Sequence, residues 1–266
     1  MRLTVLLAMF LCGLGPLAAE GGFQTAPAYS AASIVNSATN LSGSLAPNTI
    51  VSLYGEHLSY ATKALSPGEI SNGRLPTVLA GTGVRVLIAN LPAFLYFVSP
   101  QQINFLIPNN LKPGRVGLRL IRDGLAGPEV FITLTSAAPA LFQLDPGTAI
   151  ALKADYQLAT PESPARPGEI IMLYATGLGE TIPNPAPGAI ANGAAPLARL
   201  DGFGVLFDGL PVARDRIAYA GAAPGFAGLY QINVWVPAGA GDNPEVQVVV
   251  GGAVSPPGVR VPVRRE

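Results

Sequence analysis

The stretch Tyr230-Gln231-Ile232-Asn233-Val234-Trp235 holds the residues best suited to contact chemistry. In extended backbone, successive side chains alternate between faces. Ile232, Val234 and Val236 therefore share one side, and Gln231, Asn233 and Trp235 the other. An aromatic ring brings contact area with few torsions to freeze, and amides can bond sugar hydroxyls or an extended peptide. Such a stripe suits a sugar platform or a partner contact. The competing reading is that this face packs on a neighbouring domain, or under the loop Gly221 to Gly228, with its amides on backbone. Tyr230, beside the stripe, carries the same two readings. Tyr54 and Tyr174 close two related strands and are expected in the core.

Catalytic sets are thin. His57 is the one histidine, so a Ser-His-acid hydrolase would have a single candidate base, in the loop segment Gly55-Glu56-His57-Leu58. Catalytic zinc with three protein ligands does not fit one histidine and one cysteine, Cys12. Asp and Glu are scattered, mostly beside Gly or Pro, as turn formers are. A hydrolase using two carboxylates stays open as an alternative. Asp242-Asn243-Pro244-Glu245 gathers oxygen ligands but lacks the alternating pattern and fixed Gly of a calcium loop, so it reads as a turn. Gly81-Thr82-Gly83 runs into a strand, not a helix, and is turn chemistry as well. No catalytic residue, cofactor or metal ligand is assigned.

The wider composition agrees. Charged residues are 12% of the 266 and hydrophobic residues 49%, ample apolar surface for folding. Net charge is +0, with 16 basic and 16 acidic side chains. Nucleic-acid binders need an electropositive face, and the arginines Arg260, Arg264 and Arg265 read as a solvated tail. At the other end, Arg2, the apolar Leu3 to Leu17 and the small Ala18 and Ala19 have the layout of a signal peptide cleaved after Ala19. Leu11 before Cys12 is too large for a lipoprotein signal. The mature chain is then free of cysteine, lacks a membrane span and is expected outside the cytoplasm.

The chain repeats itself. Pro47-Asn48-Thr49-Ile50-Val51-Ser52-Leu53-Tyr54 answers Pro167-Gly168-Glu169-Ile170-Ile171-Met172-Leu173-Tyr174. Leu58 and Leu178, Asn72-Gly73 and Asn192-Gly193, and Pro76 and Pro196 keep that register. Gln102-Ile103-Asn104-Phe105-Leu106-Ile107-Pro108 matches Gln231 to Pro237, with a longer loop before the second copy. Each unit opens with a strand after a Pro and continues through a Gly/Pro/Asn connection, whose Asn-Gly pairs suit positions with positive φ. A hairpin turn follows at Ala89-Asn90-Leu91-Pro92 or Asp208-Gly209-Leu210-Pro211, with Asp-Gly the stronger signal. Val116 to Arg122 and Val246 to Val250 are closing strands, with Phe131 to Thr135 and Val259 to Val263 last. About seven short strands per unit without an amphipathic helix predict a sandwich.

Ala165-Arg166-Pro167-Gly168-Glu169-Ile170, Tyr174 to Gly179, Tyr219 to Gly225 and Gly228 to Val234 with Val236-Pro237 resemble an uncharacterised Solibacter-type family of bacterial C-terminal domains. That family is similar to the IPT/TIG branch of Ig-like folds. The resemblance covers Ala137 to Val263 well and Ser33 to Thr135 more loosely, with Phe97-Val98-Ser99-Pro100 replacing the Tyr-Ala-Gly loop. It implies a fold and export, and no activity. The expectation is an all-β protein of two tandem Ig-like, IPT/TIG-like β-sandwich domains: signal peptide 1–19, linker 20–32, domain one 33–136 and domain two 137–266. Its function is read as non-catalytic adhesion, assembly or binding of an extracellular polysaccharide or protein, not of nucleic acid, through Gln231, Asn233, Trp235 and Tyr230. A carbohydrate-active hydrolase and a structural spacer are the alternatives.

Overall fold

A computed structural model describes residues 25–265, so the expected signal peptide and the start of the linker lie outside the described residues. The protein is all-β: its described helical content is three single 3₁₀ turns, Ala31–Ser33, Pro67–Glu69 and Arg214–Arg216. None of the described helices is long and apolar enough to cross a membrane.

The first half contributes β1 (Ile34–Asn36), β2 (Ile50–Tyr54), β3 (Lys63–Ala64), β4 (Val84–Ile88) and β5 (Leu91–Pro92). It continues with β6 (Phe94–Val98), β7 (Gln102–Leu106), β8 (Gly114–Arg122), β9 (Leu125–Ala126) and β10 (Val130–Leu134). These pair as two sheets, β1-β2-β7-β6-β3 and β10-β8-β4-β5, with β9 on the end of β8. Their facing sides share one core, in which Val51, Leu53, Ile103 and Phe105 meet Val84, Val86, Ile88, Leu118 and Leu120. Each such aliphatic side chain taken from water contributes about 1.5–3 kcal/mol.

The second half repeats the plan with β11 (Ala140–Leu141), β12 (Gln143–Asp145), β13 (Thr148–Ala149), β14 (Ala151–Lys153), β15 (Ile170–Thr176) and β16 (Ala195–Pro196). β17 (Phe203–Phe207), β18 (Leu210–Pro211), β19 (Ile217–Ala222), β20 (Tyr230–Trp235), β21 (Val246–Val250) and β22 (Ala253–Val254) complete it. One sheet runs β11-β15-β20-β19-β16, with β14 also on β15, a second runs β18-β17-β21-β22, and β12 and β13 pair as a small third one. Thus β2-β7-β6 corresponds to β15-β20-β19, the order that the internal repeat requires. A second core draws on residues from Leu141 to Val263.

Turn chemistry explains the hairpins. Ala89 and Asn90 have φ of 48° and 64°, and Asp208 and Gly209 have 48° and 76°. Two positive φ values in a two-residue loop give the turn whose twist matches the flanking strands. Asn72 and Gly73 also adopt positive φ, but Asn192 and Gly193 do not, contrary to the expectation for that pair. The backbone before them is held elsewhere: Ile190 N–H donates to Gly73 O at 2.8 Å and Ala191 N–H to Phe226 O at 3.0 Å. The expected final strand Val259 to Val263 is likewise not a ladder. Val259, Val261 and Val263 are buried in the core, yet only isolated bridges form, at Arg260 and Val263. Pro262 has no N–H with which to continue a ladder. Strand pieces also outnumber the seven expected per unit, because short extensions such as β5, β9, β18 and β22 add to each sheet.

The segment before the first unit, expected as linker, lies against it where described. Ala28 bridges Glu56, and the Tyr29 hydroxyl donates to Pro128 O and accepts from Leu120 N–H. Arg122, 1% exposed, donates to the carbonyls of His57 and Thr25 and lies over the Tyr60 ring.

The two halves dock through contacts that cross between them. Ile50 N–H donates to Thr176 Oγ1 at 3.0 Å, and Thr176 Oγ1 donates to Gly228 O at 2.9 Å. Leu75, Phe94 and Leu106 of the first half bury with Ala227 of the second. Gly228, at φ 69°, rests on the first half so closely that a Cβ would fall 2.2 Å from Leu106 Cδ1.

Candidate functional site

Strand β20 alternates as its sequence requires. Ile232, Val234 and Val236 lie in the core, while Gln231, Asn233 and Trp235 are half-buried on the opposite face. Antiparallel register builds that face into rows. Leu152, Met172, Asn233 and Tyr219 stand side by side across β14, β15, β20 and β19. One row towards the strand end, Trp235 stands beside Ile170; one row the other way, Gln231 lies between Tyr174 and Gly221. Neighbouring strands are about 4.8 Å apart, so these side chains form a continuous surface.

Within the stripe, Gln231 Nε2 donates to Asn233 Oδ1 at 2.7 Å. The two amides orient each other and are not spent on backbone. Tyr219 is fixed by its hydroxyl, which donates to Ala222 O at 2.7 Å and accepts from Ala195 N–H at 3.1 Å. Burial pushes the Tyr219 phenol up, against the Ala195 bond that lowers it. Tyr174 is 9% exposed beneath Leu152 and Leu158. Burial, and then Tyr156 nearby, push its phenol up. Tyr174 and Met172 are thus covered, while Gln231, Asn233 and Trp235 stay half-buried.

Tyr230 belongs elsewhere and offers no surface to a ligand. It has no exposed area, since its position in the alternation puts it with Ile232 in the core. Its hydroxyl donates to Gly179 O and accepts from Asn48 Nδ2 at 3.0 Å. Burial pushes its pKa up to about 12, with the Asn48 bond opposing and Glu180 adding to the rise.

The first copy of the stripe has a different setting. Gln102 Nε2 donates to Asn104 Oδ1 at 2.8 Å, the same amide pair as in the second copy. Here the face turns toward the second half, and Asn104 has no exposed area. It is this copy, and not the one carrying Trp235, that faces the other half. The docking is incomplete: between the halves remains a cleft of about 650 Å³, lined on one side by Ser52, Tyr54 and Gln102 and on the other by Phe142, Gln143 and Phe226. Tyr54, expected in the core, is 38% exposed at this cleft, because Ile50, Ser52 and Tyr54 are the outward positions of β2. Tyr174 holds the same place in the repeat, but on its face Met172 stands where the first strand has Ser52.

The remaining chemical candidates are engaged in structure. Asp242 Oδ1 accepts from Arg265 N–H at 2.9 Å and Glu245 Oε1 from Gly258 N–H at 2.6 Å, each tying this segment to the C-terminal stretch. Among the described residues no cluster of three or more His, Cys, Asp or Glu side chains could hold a metal. His57 lies in an exposed loop at φ 57°.

No protein-family model and no curated protein sequence matches the chain. Solved structures are similar in fold. The SGBP-B protein of the Bacteroides ovatus mixed-linkage glucan utilization locus, in complex with a mixed-linkage heptasaccharide, is 11% identical, with a TM-score of 0.34 over 84% of this chain. The surface glycan-binding protein PbSGBP-B from Prevotella bryantii is 10% identical, with a TM-score of 0.27 over 86% of this chain. The chain spans 43% and 41% of those two structures. The tandem Ig repeats of Dlar are 10% identical, with a TM-score of 0.22 over 84% of this chain and 94% of theirs.

Proposed function

We propose that the protein is a non-catalytic, exported module that binds polysaccharide through the face carrying Trp235, Asn233 and Gln231. The observation that carries this reading is the half-exposed Trp235 on one sheet face with a mutually oriented Gln231–Asn233 amide pair. A pyranose ring has apolar C–H faces and a rim of hydroxyls. The indole supplies the apolar contact, and the amides supply donors and acceptors without bringing charge. A flat, rigid sheet face suits an extended chain, since few torsions freeze on binding. Glycan recognition of this kind needs no proton transfer, which agrees with amides, not carboxylates, at the centre of the face.

Trp235 is the one tryptophan of the chain, so its emission reports on this face alone. Titration with soluble neutral polysaccharides is expected to shift that emission, and Trp235→Ala is expected to weaken retention in affinity electrophoresis about tenfold. Unchanged retention by Trp235→Ala, or the lack of any polysaccharide that shifts the emission, would leave a structural spacer as the better description. Release of reducing ends that vanished on changing one carboxylate would instead establish a hydrolase.

A further inference from the structure

We propose that the cleft between the two sandwiches is a second binding site, which takes a short uncharged sugar such as the end of a neutral glycan. At about 650 Å³ it falls within the usual size of small-molecule sites, and domain junctions are where such sites concentrate. It is separate from the Trp235 face and stands on its own observations.

The walls select the ligand class. Ile50, Phe142, Ile150, Phe226 and Leu229 give the cleft apolar sides. Between them lie uncharged polar groups: the Ser37 and Ser52 hydroxyls, 2.9 Å apart, the Tyr54 phenol, which donates to Asn40 Oδ1 at 3.2 Å, and the Gln102 amide. Among the described residues no Lys or Arg lines the cleft, and the one carboxylate among them, Asp145, is exposed. An anionic ligand would enter without a countercharge. A purely apolar one would strip water from the hydroxyls and amide without replacing their bonds. A neutral polyol with apolar ring faces satisfies both sets of walls.

A second observation lies behind the Gln102 wall, at a residue that does not itself line the cleft. Asn104 sits on β7 between Ser52 of β2 and Phe97 of β6, on the face it shares with Gln102. Its Oδ1 accepts from Gln102, but its Nδ2 is buried without any partner. Buried donors are nearly always satisfied. A bound hydroxyl that drew the Gln102 amide outward would open a path to Asn104 Nδ2, which can then donate to the ligand. Gln102 and Asn104 thus act as a paired reader of hydroxyl groups, with Phe142 and Phe226 against the ring.

The test uses the whole mature chain in calorimetric titration with cellotetraose, xylotetraose and mannotetraose, with a tetragalacturonide as the anionic probe. At least one neutral oligosaccharide is expected to bind, with Trp235→Ala binding it as well as the parent. Gln102→Ala and Tyr54→Ala are each expected to weaken it about tenfold or more. Tyr54 is exposed and its hydroxyl reaches only Asn40, so this variant tests the cleft without burdening the core. The idea is overturned if no neutral probe binds below about 10 mM, if the tetragalacturonide binds equally well, or if neither cleft variant changes the affinity. Loss of binding in Trp235→Ala alone would assign the binding to the open face and leave the cleft without a ligand. Loss only in the cleft variants would do the reverse.

Discussion

The side chain of Asn48 reaches across the junction and donates from Nδ2 to the hydroxyl of Tyr230 at 3.0 Å. Tyr230 in turn donates to Gly179 O, so one phenol joins the core of the second sandwich to the turn before β2 of the first. The repeat shows what is special about Asn48. Its counterpart is Gly168, and both have positive φ, 64° and 86°. The turn needs a left-handed residue in each copy. Asn48 tolerates that conformation and adds an amide that reaches the other half.

The junction is therefore open to a double-mutant test. Tyr230→Phe is expected to cost about 1–2 kcal/mol in urea unfolding, since it leaves an amide and a carbonyl without their partner. Asn48→Gly keeps the backbone conformation and removes the amide alone. The two changes together should cost less than their sum, by about 0.5–1 kcal/mol. Strict additivity would show that the bond contributes nothing in solution.

Gly228 offers a second probe of docking. A Cβ there would also fall 3.1 Å from Asn48 O and 3.1 Å from Ile50 Cγ1, and the residue has φ 69°. Gly228→Ala combines left-handed strain with overpacking, together about 2–4 kcal/mol. Separation of the halves is expected, seen as a larger radius of gyration in solution scattering while both sandwiches keep their circular dichroism. An unchanged radius with unchanged stability would refute this close approach.

Alkaline pH should loosen the same junction. Tyr96 donates to Ala227 O across the interface, and burial pushes its phenol up, against that bond. With Tyr230 raised to about 12, both phenols favour the neutral form when folded. A raised folded pKa contributes stability that is complete below the unfolded value of about 10 and is lost as pH climbs through the folded value. The expected result is falling stability from about pH 10 to 12, removed at the Tyr230 end by Tyr230→Phe. Phenolate absorbance from all eight tyrosines with the native fold intact near pH 10 would contradict it.

Acid acts on a cluster in the first sandwich. Burial alone would raise Glu69, but it accepts from Ala80 N–H, from Lys63 and from Ser66 N–H and Oγ, which hold it at about 2. A depressed carboxylate contributes stability above its unfolded value of about 4.3, lost as pH falls through the folded one. Hydrogen exchange at Ala80 and Ser66 should accelerate between about pH 4.3 and 2, and Glu69→Gln should remove that dependence. A flat profile in the parent protein would rule the cluster out as its cause.

Local pattern carried much of this architecture. The two-residue periodicity of Gln231 to Val236 put Ile232, Val234 and Val236 inside before any contact was known, and Asp208-Gly209 specified its turn through positive φ. Where a remote partner intervened, the same logic failed. Asn192-Gly193 resembles Asn72-Gly73, yet the chain leading to it is bonded to Gly73 and Phe226 and never enters the left-handed bend. Val259 to Val263 alternates properly into the core, but a neighbouring ladder is a tertiary matter and Pro262 interrupts it.

The candidate site divides in the same way. Periodicity and duplication, both local properties of the chain, were enough to mark two amide pairs, Gln102–Asn104 and Gln231–Asn233, each on the outward face of an equivalent strand. Which pair meets solvent was decided by docking: loops of the second sandwich roof the first pair and leave a cleft, while Asn233 and Trp235 keep an open edge. Tyr54 and Tyr174 differ as well: Tyr54 is exposed at the cleft, while Tyr174 is buried beneath Leu152 and Leu158 of its own half. Identical short-range patterns can diverge in this way because burial depends on what packs against a face, and that partner lies far away along the chain.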